Sequence, residues 1–278
     1  MSLKIEHAGL TDKGRVRDHN EDNWATDPAH GLYIVSDGLG GQLAGEVASK
    51  IVVETLPAML RQRLTDVADL AEPFAYQQLL EAIAELSHQV YEQTKGQLGL
   101  EGMGATVVLA LIRDSKALIA HMGDSRAYLL RDGKLKRLTR DHSIVQLLID
   151  NGEIKPEQAV THPARGRVTR SIGMEGEPLP EARVLQIKSG DRLLLCSDGL
   201  VGMLTDKKIQ SILKNGTDPA ATSRRLIDAA NEAGGKDNVT AVIITVSEET
   251  ASQKAGARVE TDGRHDQIPK PEIRLESE

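Results

Sequence analysis

A chain of 278 residues with 40% hydrophobic content can bury a sizeable core, while a net charge of -7 argues against a nucleic-acid surface, which normally shows a basic patch or stripe. Aromatic residues are only 2%, so the core is aliphatic and platforms for stacking bases are missing; the single cysteine, Cys196, excludes a disulfide within the chain and reads as a small buried side chain. The longest stretch free of charged residues, Gly102 to Ile112, has 11 residues against the roughly 20 of a spanning helix, and the start of the chain has no secretory pattern. These features lead us to expect a cytoplasmic protein without a membrane span.

Runs rich in Val, Ile and Leu predict strands near 33–36, 104–112, 117–122, 126–130, 192–196 and 239–246. Short turns such as Arg131-Asp132-Gly133-Lys134 join close neighbours, which should pair antiparallel. Two helices are predicted between them, one carrying Val47, Ala48, Ile51, Val52, Met59 and Leu60 on one face, the next Leu79, Leu80, Ile83, Ala84 and Val90. Pro57 should kink or shorten the first. A third helix starts with Asp218 as N-cap and Pro219 at its first position, and stops at Gly234-Gly235. The polar, Gly/Pro-punctuated segment 142–170 interrupts the strand pattern as an excursion near a functional edge. From Glu248 to Glu278 the chain is charged and without apolar periodicity, which reads as a disordered tail after a domain spanning 1–247. Strands, a helix pair, strands and further helices predict an α+β fold with helices outside each face of the sheets.

The stretch YIVSDGLGGQLAG at 33–45 raises the chemical question, because a glycine-rich turn between strand and helix is where dinucleotide folds place a pyrophosphate. That reading fails. A G-x-G-x-x-G fingerprint from Gly38 needs glycine at 43, where the chain has Leu43, and Asp37 would aim its charge at the anion. LLLCSDG at 193–199 repeats the acid at a strand end without the glycines. Collected together, the acids of these turns are Glu21 and Asp22 in RVRDHNEDNW, Asp37 in SDGLGG, Asp124 in HMGDSR, Asp198 in CSDGL and Asp237 in GGKDNVT. Singly, each is ordinary turn chemistry; gathered in one place, carboxylates are tolerated mainly when paired or bound to a cation. With no Cys/His cluster at zinc spacing, the fitting cations are Mg²⁺ or Mn²⁺.

In order, R-x-x-x-E-D at 17–22, SDGLGG at 36–41, GAT at 104–106, GDSR at 123–126, SDG at 197–199 and DN at 237–238 resemble the motifs of bacterial PPM-family (type 2C) metal-dependent Ser/Thr protein phosphatases. The resemblance covers about residues 5–247 and implies a four-layer α/β/β/α sandwich with a central antiparallel β-sandwich between helix pairs. It further implies that Asp37 bridges two metals, that Asp198 and Asp237 complete one site, and that Glu21 with the Gly38 carbonyl serves the other. Asp22 would orient metal-bound water, Asp124 with Asp198 would hold a weaker third metal, and 142–170 would be the family's flap. The implied reaction is hydrolysis of phosphoserine or phosphothreonine by a hydroxide bound to two cations, with Arg17 holding phosphate oxygens. Phosphoprotein substrates, a cognate Ser/Thr kinase and a monomeric enzyme follow from the same resemblance. Many eukaryotic relatives carry histidine where this chain has Leu39, so the proton donor must differ: water on a cation is the preferred substitute, with His142 and His162 as weaker candidates because a flap histidine is more often a surface group. A metal-free binding module and an enzyme for small phosphoesters are the rival readings; the first would have lost ligands, and all six acids are present.

Overall fold

The computed structural model describes residues 3–40, 43–97, 100, 102–216 and 218–249. The chain begins with strands β1 (Leu3–Asp12), β2 (Asp22–Asp27) and β3 (Leu32–Leu39), followed by helices α1 (Leu43–Leu64) and α2 (Pro73–Thr94). Strands β4 (Gly104–Ala105), β5 (Val107–Arg113), β6 (Lys116–Met122), β7 (Arg126–Arg131) and β8 (Lys134–Arg137) come next. Short helices α3 (Ile144–Asp150) and α4 (Pro156–Ala159) lie within the 142–170 excursion. The chain continues through β9 (Glu181–Gln186), β10 (Arg192–Cys196), α5 (Asp198–Met203), α6 (Asp206–Asn215), α7 (Pro219–Glu232) and β11 (Val239–Glu248).

One sheet has the order β1-β11-β10-β7-β8 and the other β2-β3-β5-β6-β9, with β4 added to β3; the paired strands are antiparallel. Alternation along each strand sends side chains into different layers. On β3, Val35 enters the core between the sheets while Ile34 packs against α1 and α2; on β10, Leu193 and Leu195 face the sheet interface while Leu194 faces α6 and α7. Three apolar cores therefore separate four layers, the predicted α/β/β/α sandwich. Strands covered on both faces need apolar residues at successive positions, which is why the inner ones read as unbroken apolar runs.

Helix α1 continues through Pro57 to Leu64, so the expected shortening does not occur. The apolar face of α1, including Ala48, Val52, Leu56 and Leu60, is buried on both sides of the proline, and that packing outweighs the lost backbone hydrogen bond. Asp218 caps α7 as expected, its carboxylate accepting Ala221 N–H at 2.6 Å. The 104–112 run is two strands, interrupted at Thr106. Strands β1, β2, β8 and β9 escaped the sequence reading because they are half-exposed and polar-punctuated; all four are the edge strands of their sheets. Strand β11 runs to Glu248, one residue past the expected domain boundary, and the tail from 250 lies outside the described residues. No helix among the described residues is long and apolar enough to cross a membrane.

Candidate active site

The six acids converge at one end of the sandwich, each delivered by a strand end or the turn beside it. Asp22 opens β2 and stands opposite Asp37 of β3 in the antiparallel register. Asp198 is the first residue of α5, directly after β10; Asp124 sits in the β6–β7 turn; Asp237 precedes β11; Glu21 precedes β2. Gly38 needs to be glycine because a Cβ there would collide with the Gly45 carbonyl, and one at Gly45 would collide with the Glu21 carboxylate. The glycines thus let α1 start against the acids.

Crowding and burial resist ionisation. Asp22 is 3% exposed and its carboxyl is pushed up to about 7, first by burial, then by Asp198 and Asp237, against the opposing hydrogen bonds of Ser197 and Thr240. Those hydroxyls donate to Asp22 Oδ2 at 2.7 Å each, while Oδ1 has no partner among the described residues. Asp37 is raised well above the carboxylate range by burial and by Asp22, Asp198, Asp124 and Asp237. Asp124 is raised in the same way by burial, Asp198 and Asp141, and Asp198 by burial and Asp237. Glu21 is raised mainly by burial, with Arg17 opposing. An all-oxygen donor set, mutually repelling and with one buried carboxylate oxygen unpartnered, fits hard divalent cations.

Arg17 reaches this cluster from the β1–β2 loop and donates to Asp237 Oδ2 at 2.8 Å. Both side chains are substantially exposed, so the pair is inexpensive to open. Leu39 offers no proton. His142 proves to be buried, at 4% exposure, and not a surface group; burial and the neighbouring His121 push it down to about 4, which removes it as a solvent-facing acid. Beside Asp124 and Asp198 opens a cavity of about 560 Å³ whose walls include Val145, Val160, Val201 and Arg165, so the excursion borders the acids. A cavity of about 680 Å³ at the other end of β3, near Leu3, Tyr33 and Ile112, contains none of the six acids.

The sequence reading missed the hydroxyl and amide residues that hold the acids. Asn238 accepts Glu21 N–H at 2.8 Å and donates to the carbonyls of Lys13 and His19 at 3.0 and 2.8 Å, binding the R-x-x-x-E-D loop to the start of β11. Thr106 Oγ1 accepts Asp37 N–H at 3.0 Å and bonds Ser125 Oγ at 2.7 Å, joining two acid-bearing turns. Thr106, Ser197 and Asn238 lay inside quoted motifs and could have been suspected. Thr240 carried no such signal.

The Protein phosphatase 2C family profile matches residues 13–238. The serine/threonine phosphatase stp of Listeria welshimeri is 37% identical over 237 residues, covering 84% of this chain and 93% of the relative. The Streptococcus agalactiae serine/threonine phosphatase structure superposes with a TM-score of 0.79 at 31% identity, covering 88% of this chain and 100% of its own length. The catalytic domain of the serine/threonine protein phosphatase PstP, solved in complex with 2 manganese ions, gives a TM-score of 0.75 at 36% identity, covering 89% of this chain and 100% of that one. With its ordered motifs, its four layers and its converged acids, the chain belongs to the protein phosphatase 2C (PPM) family, as a serine/threonine phosphatase of the bacterial type.

Proposed function

We propose that this phosphatase hydrolyses phosphoserine and phosphothreonine in proteins, reversing a bacterial Ser/Thr kinase in the cytoplasm as a monomer. The observation that carries the reading is the convergence of six acids, five of them resisting ionisation through burial and mutual repulsion. Glu21, Asp37, the Gly38 carbonyl, Asp198 and Asp237 would hold two Mn²⁺ or Mg²⁺ ions, with Asp37 shared between them, and Asp124 with Asp198 a weaker third. Bound cations supply a nucleophile from water at neutral pH and offset charge on the phosphoryl oxygens.

The chain's own groups do the rest. Arg17 leaves Asp237 and grips two phosphate oxygens with its planar fork. Asp22, held through Oδ2 by Ser197 and Thr240, keeps Oδ1 free to accept a proton from water and orient it. An oxygen of water bonds to phosphorus as the bond to the serine or threonine oxygen breaks, and that oxygen takes a proton from water in the site, since Leu39 has none to give. Orthophosphate and the free hydroxyl leave, and no phosphoenzyme forms.

The test is turnover of a phosphothreonine peptide and a panel of small phosphoesters by the full chain, with Mn²⁺ and after chelation. Peptide turnover that disappears on chelation and returns with Mn²⁺ supports the proposal. Strong preference for one small ester would move the substrate to metabolites, and turnover unaffected by chelation would refute the cation sites.

A further inference from the structure

Outside the carboxylate centre, His121 at the end of β6 and His142 stack with ring centroids 4.6 Å apart, and Glu181 of β9 approaches His142 Nε2 at 3.2 Å. Ligand atoms from these three side chains lie within 4.8 Å of one another, which is compatible with a transition-metal site. The hydrogen bonds exclude that use. His142 Nδ1 accepts Gly123 N–H at 3.2 Å, so its ring proton sits on Nε2, directed at Glu181. A metal on Nε2 would move that proton to Nδ1 and set donor against donor at Gly123. Arg170 Nη1 also donates to Glu181 Oε1 at 3.1 Å, bringing a fixed positive charge to the same carboxylate.

The ring instead joins two parts of the site. Gly123 immediately precedes Asp124, and the peptides on either side of it are both held by His142: the His142 N–H donates to the Gly123 carbonyl at 3.0 Å while Nδ1 takes the Gly123 N–H. The His142 carbonyl accepts Thr169 N–H at 2.8 Å, and Ile144 N–H donates to the Arg167 carbonyl at 2.9 Å, so both ends of the excursion are tied at the same place. The Asp124 carboxylate makes no hydrogen bond to another described side chain, so its position depends on the backbone that carries it.

We infer that His142 is a positioning residue whose Nδ1 fixes the Met122–Gly123 peptide, next to Asp124, and thereby sets the affinity of the weakly held third cation. This rests on the reading of Asp124 as a ligand to that cation. Two substitutions separate the ring's two contacts. His142→Asn puts a side-chain oxygen near the place of Nδ1 and keeps an acceptor for Gly123, whereas His142→Gln reaches the place of Nε2 and keeps only a partner for Glu181. His142→Phe retains the stack on His121 and removes both contacts.

Mn²⁺ calorimetry on the full chain, with Asp124→Ala as reference, provides a readout independent of turnover. The expected result is a weak binding phase lowered ~10-fold or more in the Gln and Phe variants, the scale seen when a group orienting a metal ligand is removed, with the two tight ions retained. The Asn variant should stay within about twofold of the parent even if all three melt earlier. An unchanged weak phase in the Gln variant, or an Asn variant as weak as Gln, overturns the positioning role. If either the Gln or the Phe variant fails to fold, the other still decides. Loss of the weak phase in none of the variants, Asp124→Ala included, would instead refute the third-cation reading itself.

Discussion

Asp22 and Asp37 stand directly opposite one another on neighbouring antiparallel strands, an arrangement of like charges that a sheet built for stability alone avoids. Replacing one of them should separate stability from activity. Asp37→Asn removes charge and keeps volume, so the metal-free protein should melt roughly 2–4 °C higher, corresponding to about 1 kcal/mol for a domain of this size, while turnover falls at least ~100-fold. Thermal melts with chelator and phosphopeptide assays with Mn²⁺ check both halves. Normal turnover in a folded variant would remove Asp37 from the cation site.

The same crowding predicts a pH dependence of metal-free stability. Asp22, with its carboxyl near 7, and Asp37, Asp124 and Asp198, also raised, bind protons more tightly folded than unfolded. Their contribution is complete below the ordinary carboxylate range and is lost as pH rises through about 7. His142 acts in the opposite sense, since its folded value is depressed to about 4, but that effect is spent above its ordinary value of 6.5. Between about pH 6.5 and 8 the chelated protein should therefore melt progressively lower, and Mn²⁺ should raise its Tm more at pH 8 than at 6.5. A melting temperature that rises with pH over that window would contradict the carboxylate crowding.

Arg17 should matter for substrate and little for folding. Its pair with Asp237 is exposed, so Arg17→Ala should leave Tm within about 1 °C, while losing a bidentate grip on phosphate raises KM for a phosphopeptide ~10-fold or more. Arg17→Lys should recover only part of the loss, because an ammonium lacks the planar fork. Steady-state kinetics of the three proteins decide it, and an unchanged KM in the alanine variant would end the phosphate-binding role.

The segment after Glu249 is proposed to be dispensable for chemistry. Because Ser247 and Glu248 pair with Lys4 and Leu3, a cut at Ser247 would trim a strand, so the informative chain ends at Glu249. It should hydrolyse a small aryl phosphate at the full-length rate. A large drop would show that residues 250–278 support the catalytic body.

By itself, the sequence determined the layers and the chemistry. Residues such as Ile34 and Val35, or Leu193 and Leu194, serve cores on opposite faces of one strand, so the double burial of the inner strands was written locally as unbroken apolar runs. Asp37, Asp124 and Asp198 were legible because each stood at the end of such a run beside glycine; Glu21, Asp22 and Asp237 were legible only through the ordered motifs that contain them. Only the tertiary structure decided which side chains hold them: Thr240 meets Asp22 across 218 residues, and Asn238 meets Glu21 across 217. It also decided the edges and the helix through Pro57, where half-buried strands with little apolar periodicity or a single unfavourable residue are overruled by packing from distant segments. His142 is the clearest case: its sequence position suggested a surface group, and its burial against His121 and its bond to Gly123 exist only because the chain returns to the β6–β7 turn, a long-range contact that local propensity does not encode.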